Sequence, residues 1–294
     1  RAGGGHEVAH GVDVVVVRVG AHDLAHGAVA HRREDGGRVV RRVEFDHELV
    51  RIAERRGIPF AGGTRVLGLA RTATGYRVET SSGPIHARVL IGADGVRSVV
   101  RRTLGFQAAR YRAQAIEVDT EPVESDLPRD VLLFDASHRE LPGYYWDFPT
   151  LVDGREMVVR GVYILRPTDG PAVIEIQSVL QLELERRGID LAKLKKKRYA
   201  ELAFDPHVPV SRPHVLLVGE AAGIDPVTGE GIAQAIYYGA AAAKYLAEKL
   251  AVRDFGFEDW PSTIRRSSIG RDLIVRTLGV GLFYGPPRAN VEAF

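Results

Sequence analysis

A chain of 294 residues, 45% of them hydrophobic, is long enough to bury a two-lobed core. A formal net charge of +2 excludes the strongly basic face of a nucleic-acid binder, and the absence of cysteine excludes disulfides, thiol catalysis and a cysteinyl link to a cofactor. With no secretory signal and no apolar run long enough to span a bilayer, the expectation is a cytoplasmic enzyme, with peripheral membrane contact left open.

The first 37 residues are atypical. Six of the ten histidines lie within the first fifty positions. His6-Glu7-Val8-Ala9-His10 is a formal HExxH, in which two histidines one helical turn apart bind zinc and the glutamate acts as general base. Three glycines precede it, a β-branched run follows it, and no third-ligand helix comes next, so a zinc hydrolase is the minor alternative. The apolar run 12–19 ends at Gly20-Ala21-His22-Asp23.

From Arg42-Val43-Glu44-Phe45-Asp46 onward, Phe45, Leu49, Ile52 and Ala53 recur at helical spacing. Residues 65–70, 75–80 and 85–91 read as strands joined by glycine-bearing turns. Residues 88–101, RVLIGADGVRSVVR, read as a strand, a Gly92-Ala93-Asp94-Gly95 turn and a helix; taken alone, Asp94 could simply cap that helix.

Short strands with proline-marked turns over 105–167 predict an antiparallel sheet. Within it, the run from Gly143 to Pro149 alternates so that Tyr144, Trp146 and Phe148 share one face and Tyr145 and Asp147 the other. Residues 172–201 read as largely helical, with Lys193, Lys195, Lys196, Lys197 and Arg198 on a solvated face; a diphosphate or anionic lipid is the alternative partner for that cluster.

Residues 215–232, VLLVGEAAGIDPVTGEGI, carry the strongest signal: an apolar strand, Gly219-Glu220, a small-residue loop with Pro226, then Gly229-Glu230-Gly231-Ile232 opening an alanine-rich helix. Glycines admit a ligand close to the backbone, and a helix start offers unpaired N–H groups. Helical character continues over 261–278, and 280–284 are apolar.

This last segment resembles the second FAD fingerprint, GDxxxxxxPxxGxG, of flavoproteins that share the p-hydroxybenzoate hydroxylase fold. Glu220 stands where the family has the aspartate that bonds the ribityl chain, and it accepts the same hydrogen bonds from one methylene further out. The resemblance implies that Pro226 faces the isoalloxazine and that the amides from Gly229 through Glu230 and Gly231 to Ile232 lie near its N1 and O2 edge. The turn at Asp94-Gly95 resembles the family's DG motif, between the flavin and the path of a nicotinamide donor. Arg42 matches an arginine that reaches the FAD. Tyr144, Trp146, Phe148 and Pro149 match the YxWxFP pattern of the geranylgeranyl reductase branch, so the aromatic face is expected to line a pocket for a hydrophobic substrate.

The family's opening strand, GxGxxG turn and helix cannot be located in the sequence. Similarity begins near Val39, which suggests a truncated or frame-disturbed start. The expected fold is α/β with α+β elements: an incomplete FAD-binding Rossmann-like lobe with an antiparallel-sheet substrate lobe. The expected division is 1–105 (partial FAD lobe), 106–205 (substrate lobe), 206–255 (return to the FAD lobe) and 256–294 (helical). The function implied is FAD-dependent reduction of carbon–carbon double bonds in an isoprenoid-like molecule, with NAD(P)H as the expected electron donor. The alternatives are a monooxygenase on the same scaffold and a non-catalytic remnant. No catalytic residue is identified; Tyr144 has the chemistry of a proton donor. Nothing in the sequence selects an oligomeric state.

Overall fold

The computed structural model describes residues 12–17, 39–138, 141–170 and 174–284, with the backbone alone for 12–17. The HExxH segment and the Gly20-Ala21-His22-Asp23 turn lie outside the described residues. Strands β1 (Val12–Val17), β2 (Val66–Thr72), β3 (Gly75–Thr80), β4 (Ile85–Gly92), β10 (Ser211–Arg212) and β11 (Val215–Leu217) form a mixed sheet in the order β10-β11-β4-β3-β2, with β1 also paired to β4. β5 (Tyr111–Thr120), β6 (Leu133–Asp135), β7 (Gly143–Val152), β8 (Arg155–Pro167) and β9 (Lys197–Leu202) form an antiparallel sheet in the order β6-β7-β8-β5-β9. The helices are α1 (Arg42–Arg55), α2 (Val99–Thr103), α3 (Ile176–Glu185), α4 (Ile232–Ala251), α5 (Trp260–Arg266) and α6 (Ser268–Tyr284).

The centre of the mixed sheet is apolar on consecutive positions because it is covered on both sides. Val89 and Leu90 of β4 and all of β11 are fully buried, packed with Tyr238, Leu246, Trp260 and Leu273 from the helices. β1 and β11 both run parallel to β4, and Val17 and Leu217 are each in register with Gly92. Strands that end at one level release their connecting turns side by side. The turns after β4 and β11 therefore leave the same edge of the sheet, where open α/β sheets place their ligands. The meander of β2, β3 and β4 agrees with the strands expected from the sequence.

The antiparallel sheet alternates as the pleat requires. Tyr145, Val162, Ile164, Ile116 and Val118 pack beneath α3 with Leu180 and Leu184, whereas Tyr144, Trp146, Tyr163, Leu165, Ala113 and Ala115 turn the other way, toward Val227 and Val280.

The helix expected over 172–201 is broken. α3 stops at Glu185, Gly188 takes a left-handed φ of 70°, and Ile189 N–H bonds back to Leu184 O. From Lys197 the chain is β9, because pairing along β5 outweighs the helical propensity of a lysine-rich segment. Nor does the basic cluster form one helical face. Lys197 pairs with Asp119 at 2.7 Å and Glu117 at 3.3 Å, and Lys196 donates to Leu191 O.

Beneath this sheet Arg160 is completely buried. It pairs with Asp126 and Asp147 at 2.8 Å each, and its Nε donates to Thr120 Oγ1 at 2.9 Å. Arg187 reaches Asp147 from the other side at 3.0 Å. Removing the guanidinium strands carboxylates away from water, so Arg160→Met is expected to lower unfolding free energy by about 3 kcal/mol. Urea denaturation of the variant measures the loss; an unchanged midpoint would refute the stabilising role given to Arg160.

Candidate functional site

The turn that leaves β4 is tied down from inside. Asp94, 3% exposed, accepts the N–H groups of Val99 (2.6 Å) and Val100 (3.2 Å) through Oδ2, and Ser98 caps Arg101 N–H. This is the helix-capping role open to Asp94 from sequence alone. Its other oxygen, Oδ1, is buried with no hydrogen-bond partner among the described residues. Gly95 follows with a left-handed φ of 71°. Arg101 stretches from α2 to donate to Ala221 O at 3.1 Å, joining the two turns.

Glu220 lies in the second turn, with Oε2 3.3 Å from where a Cβ on Gly95 would stand. Burial pushes its carboxyl up to about 7, although the Arg42 charge and the Val96 N–H pull in the opposite direction. Arg42, the first residue of α1, is held by Asp46 through Nη2 at 2.9 Å and Nε at 3.3 Å. Three separated sequence signals, at 42, 94–95 and 219–220, thus meet at the edge where β4 and β11 end.

The loop from Gly223 to Gly231 is gripped by its carbonyls. Tyr163 donates to Pro226 O (3.3 Å), Tyr284 to Val227 O (2.5 Å) and Tyr144 to Thr228 O (2.5 Å), while Tyr238 reaches Gly223 O (3.2 Å). Buried Asp225 receives Val227 N–H, Thr228 Oγ1 and the Arg276 guanidinium at 2.5–2.7 Å. Pro226 is buried within this clamp.

The amides that follow are left free. Among the described residues no acceptor meets the N–H groups of Gly229, Glu230, Gly231 or Ile232, and Gly231, the N-cap of α4, brings no side-chain cap. Gly229 has a φ of 70°, and a Cβ there would lie 2.5 Å from Tyr163 Cε2 and 2.6 Å from Glu201 Oε2. Only glycine fits that approach. Glu230 is exposed.

Opposite the loop stands the aromatic face. Tyr144 stacks on Tyr163 with centroids 5.1 Å apart, Trp146 lies 5.9 Å from Tyr144, and Phe148 lies 6.1 Å from Trp146. Trp146 lies across Gly161, whose lack of a side chain leaves room for the indole. The Tyr144 proton is committed to Thr228 O, and burial, followed by nearby carboxyls, holds its hydroxyl above the ordinary value. This tyrosine is an anchor, not a free proton donor.

Sequence reasoning missed Glu201, Tyr163, Asp225, Tyr284 and Arg276. Tyr163 could have been found by alternation along β8. Glu201 was hidden inside a segment read as helix, and the others act through pairings remote in sequence.

The residues present fit a flavin. Free amides at a helix start suit its electron-rich ring edge, a carboxylate at 220 suits hydroxyl donors, and the orphaned Asp94 Oδ1 lacks a donor that a ligand could bring. Among the described residues no helix is long and apolar enough to cross a membrane.

Comparison with known proteins agrees with this geometry. The chain is 30% identical over 269 residues to a digeranylgeranylglycerophospholipid reductase of Methanothrix thermoacetophila, covering 85% of this chain and 65% of that one. It is 27% identical over 246 residues to a menaquinone reductase of Mycobacterium tuberculosis, covering 78% and 57%. The curated relatives are longer, and the chain spans between about half and two thirds of their length. Its fold is that of a geranylgeranyl bacteriochlorophyll reductase-like protein from Thermoplasma acidophilum, with a TM-score of 0.71 at 23% identity over 85% of this chain and 66% of that one. A family profile described as FAD binding domain matches residues 37–253, which takes in the DG turn, the Glu220 turn and the start of α4, and the chain therefore belongs to the FAD binding domain family.

Proposed function

We propose that the protein is an FAD-dependent reductase of carbon–carbon double bonds in an apolar, isoprenoid-bearing lipid, with a nicotinamide nucleotide as electron donor. The observation that carries this reading is the set of unbonded amides from Gly229 to Ile232, directly after a loop that tyrosines hold against an aromatic sheet surface. The names of the relatives support the substrate class, since both are reductases of lipid molecules.

FAD supplies a two-electron carrier able to deliver a hydride equivalent. The chain's own part is to bind and orient. The head of α4 offers N–H donors and partial positive charge to an electron-rich ring edge. Glu220 accepts hydrogen bonds from cofactor hydroxyls, and Arg42 offsets the negative charge collected there. Tyr144, Trp146 and Phe148 present an apolar wall that excludes water from a chain lying against it.

Purified protein reconstituted with FAD is expected to be yellow and, once supplied with NAD(P)H or dithionite as reductant, to add two hydrogens per double bond to a prenylated lipid under strict anaerobiosis. Turnover that requires oxygen would assign a monooxygenase instead; protein that stays colourless with excess FAD would mark a remnant. Gly229→Ala is expected to weaken FAD binding about tenfold to hundredfold, through backbone strain and collision with Tyr163 and Glu201. A flavin fluorescence titration decides this, and unchanged affinity would count against a ligand at this turn.

Glu220 predicts a pH dependence. Below pH about 4.5 both folded and unfolded chains hold its proton; between about 4.5 and 7 only the unfolded chain releases it. Stability of the cofactor-free protein therefore falls as pH rises through that window, by up to about 3 kcal/mol, and levels off above it. Glu220→Gln should flatten the curve, and so should bound FAD, whose hydroxyls favour the carboxylate. Denaturation at pH 5 and pH 8 reads the slope directly; equal slopes in wild type and variant would contradict the assignment.

A further inference from the structure

β9 brings an acid to the aromatic face. Glu201 is in register with Ala113 of β5, and Tyr199 with Ala115, which is itself in register with Tyr163. Residues directly opposite in a ladder share a face, so Glu201 stands on the side that carries Tyr144, Trp146 and Tyr163. The end of β9 is stitched to the Gly223–Gly231 loop: Ile224 N–H donates to Leu202 O at 2.9 Å and Phe204 N–H to Ile224 O at 2.7 Å. Glu201 Oε2 consequently lies against Gly229, buried, with no hydrogen-bond partner among the described residues.

The charges that act on it most strongly come from three elements. Glu220 from the turn after β11, and Asp225 and Glu230 from the loop, act to raise its carboxyl, and the Arg42 charge of α1 acts to lower it. The neighbouring hydroxyls of Tyr144, Tyr163 and Tyr284 are spent on loop carbonyls. Burial first, then these carboxylates, hold the Glu201 carboxyl well above its usual range. A buried carboxylate without a donor costs several kcal/mol, which favours the neutral acid. Among the described residues no partner meets its buried Oε2.

We propose that Glu201 is the acid of the reaction, a buried residue whose O–H is held for the substrate where the aromatic face meets the Gly229 turn. This rests on the reductase reading above. The Glu201 proton passes to one carbon of the double bond while the other receives the hydride equivalent supplied by the reduced cofactor. The π bond is consumed, two C–H bonds form, and the carboxylate left behind regains a proton from solvent.

The test uses FAD-loaded wild type, Glu201→Gln and Glu220→Gln. Infrared spectra at pH 7 should show a neutral-carboxyl band that persists in Glu220→Gln and vanishes in Glu201→Gln. Glu201→Gln should retain stoichiometric flavin, reducible by dithionite, while anaerobic turnover falls about a hundredfold. Wild type in D2O should place at least one solvent deuterium in each reduced bond. An active wild type with an equally active Glu201→Gln overturns the role of Glu201 alone. Wild type that holds flavin yet reduces no double bond overturns the reductase reading and this role with it. Should Glu201→Gln fail to fold, Glu220→Gln lacking the neutral-carboxyl band, or wild-type product lacking solvent deuterium, overturns the proposal.

Discussion

Three tyrosine hydroxyls donating to three successive carbonyls, at Pro226, Val227 and Thr228, are the interaction on which the arrangement of the site depends. A loop inside a protein must satisfy both its N–H and its C=O groups. Here the carbonyls are satisfied by side chains from β7, β8 and α6, so the N–H groups of the next residues need not turn inward. They stay available at the head of α4. Asp225 reinforces the same division: it collects donors from within the loop and from Arg276, and its own N–H goes to Gln234.

The clamp also joins the two sheets. Tyr144 and Tyr163 belong to the antiparallel sheet, whereas the loop they hold leaves β11 of the mixed sheet. Arg41 adds a second tie, from the start of α1 to Asp119 of β5 at 3.0 Å. The position of the loop on the antiparallel sheet is therefore set by directional bonds rather than by apolar contact alone. Net hydrogen-bond energies of about 1 kcal/mol each make such ties modest in stability. Their larger effect is on geometry.

Electrostatics at the site follows from crowding four acids beside Arg42 and Arg276. Glu220, Asp225 and Glu230 act on Glu201, with Arg42 in partial opposition. Asp225 has a guanidinium of its own at 2.6 Å, whereas burial pushes the carboxyls of Glu220 and Glu201 upward. Neighbouring carboxyls thus differ in whether an ion-pair partner offsets their burial, the usual means by which a protein sets adjacent acids apart.

Local patterns in the chain were sufficient for the turns and their order. The strand, Gly92-Ala93-Asp94-Gly95 turn and helix, the glycines at 219, 229 and 231, and the split of Tyr144, Trp146 and Phe148 from Tyr145 all follow from spacing and backbone chemistry within about twenty residues. What tertiary structure alone decided was register. β9 is a strand because β5 offers it a ladder, against the propensity of its own lysines, and that pairing turns Glu201 toward Gly229. The strand Val12–Val17 beside β4 likewise depends on a partner more than seventy residues away. Hydrogen bonds from Tyr163, Tyr284 and Arg276 to the loop span some fifty residues or more, and no periodicity in the chain encodes a contact that only folding brings together.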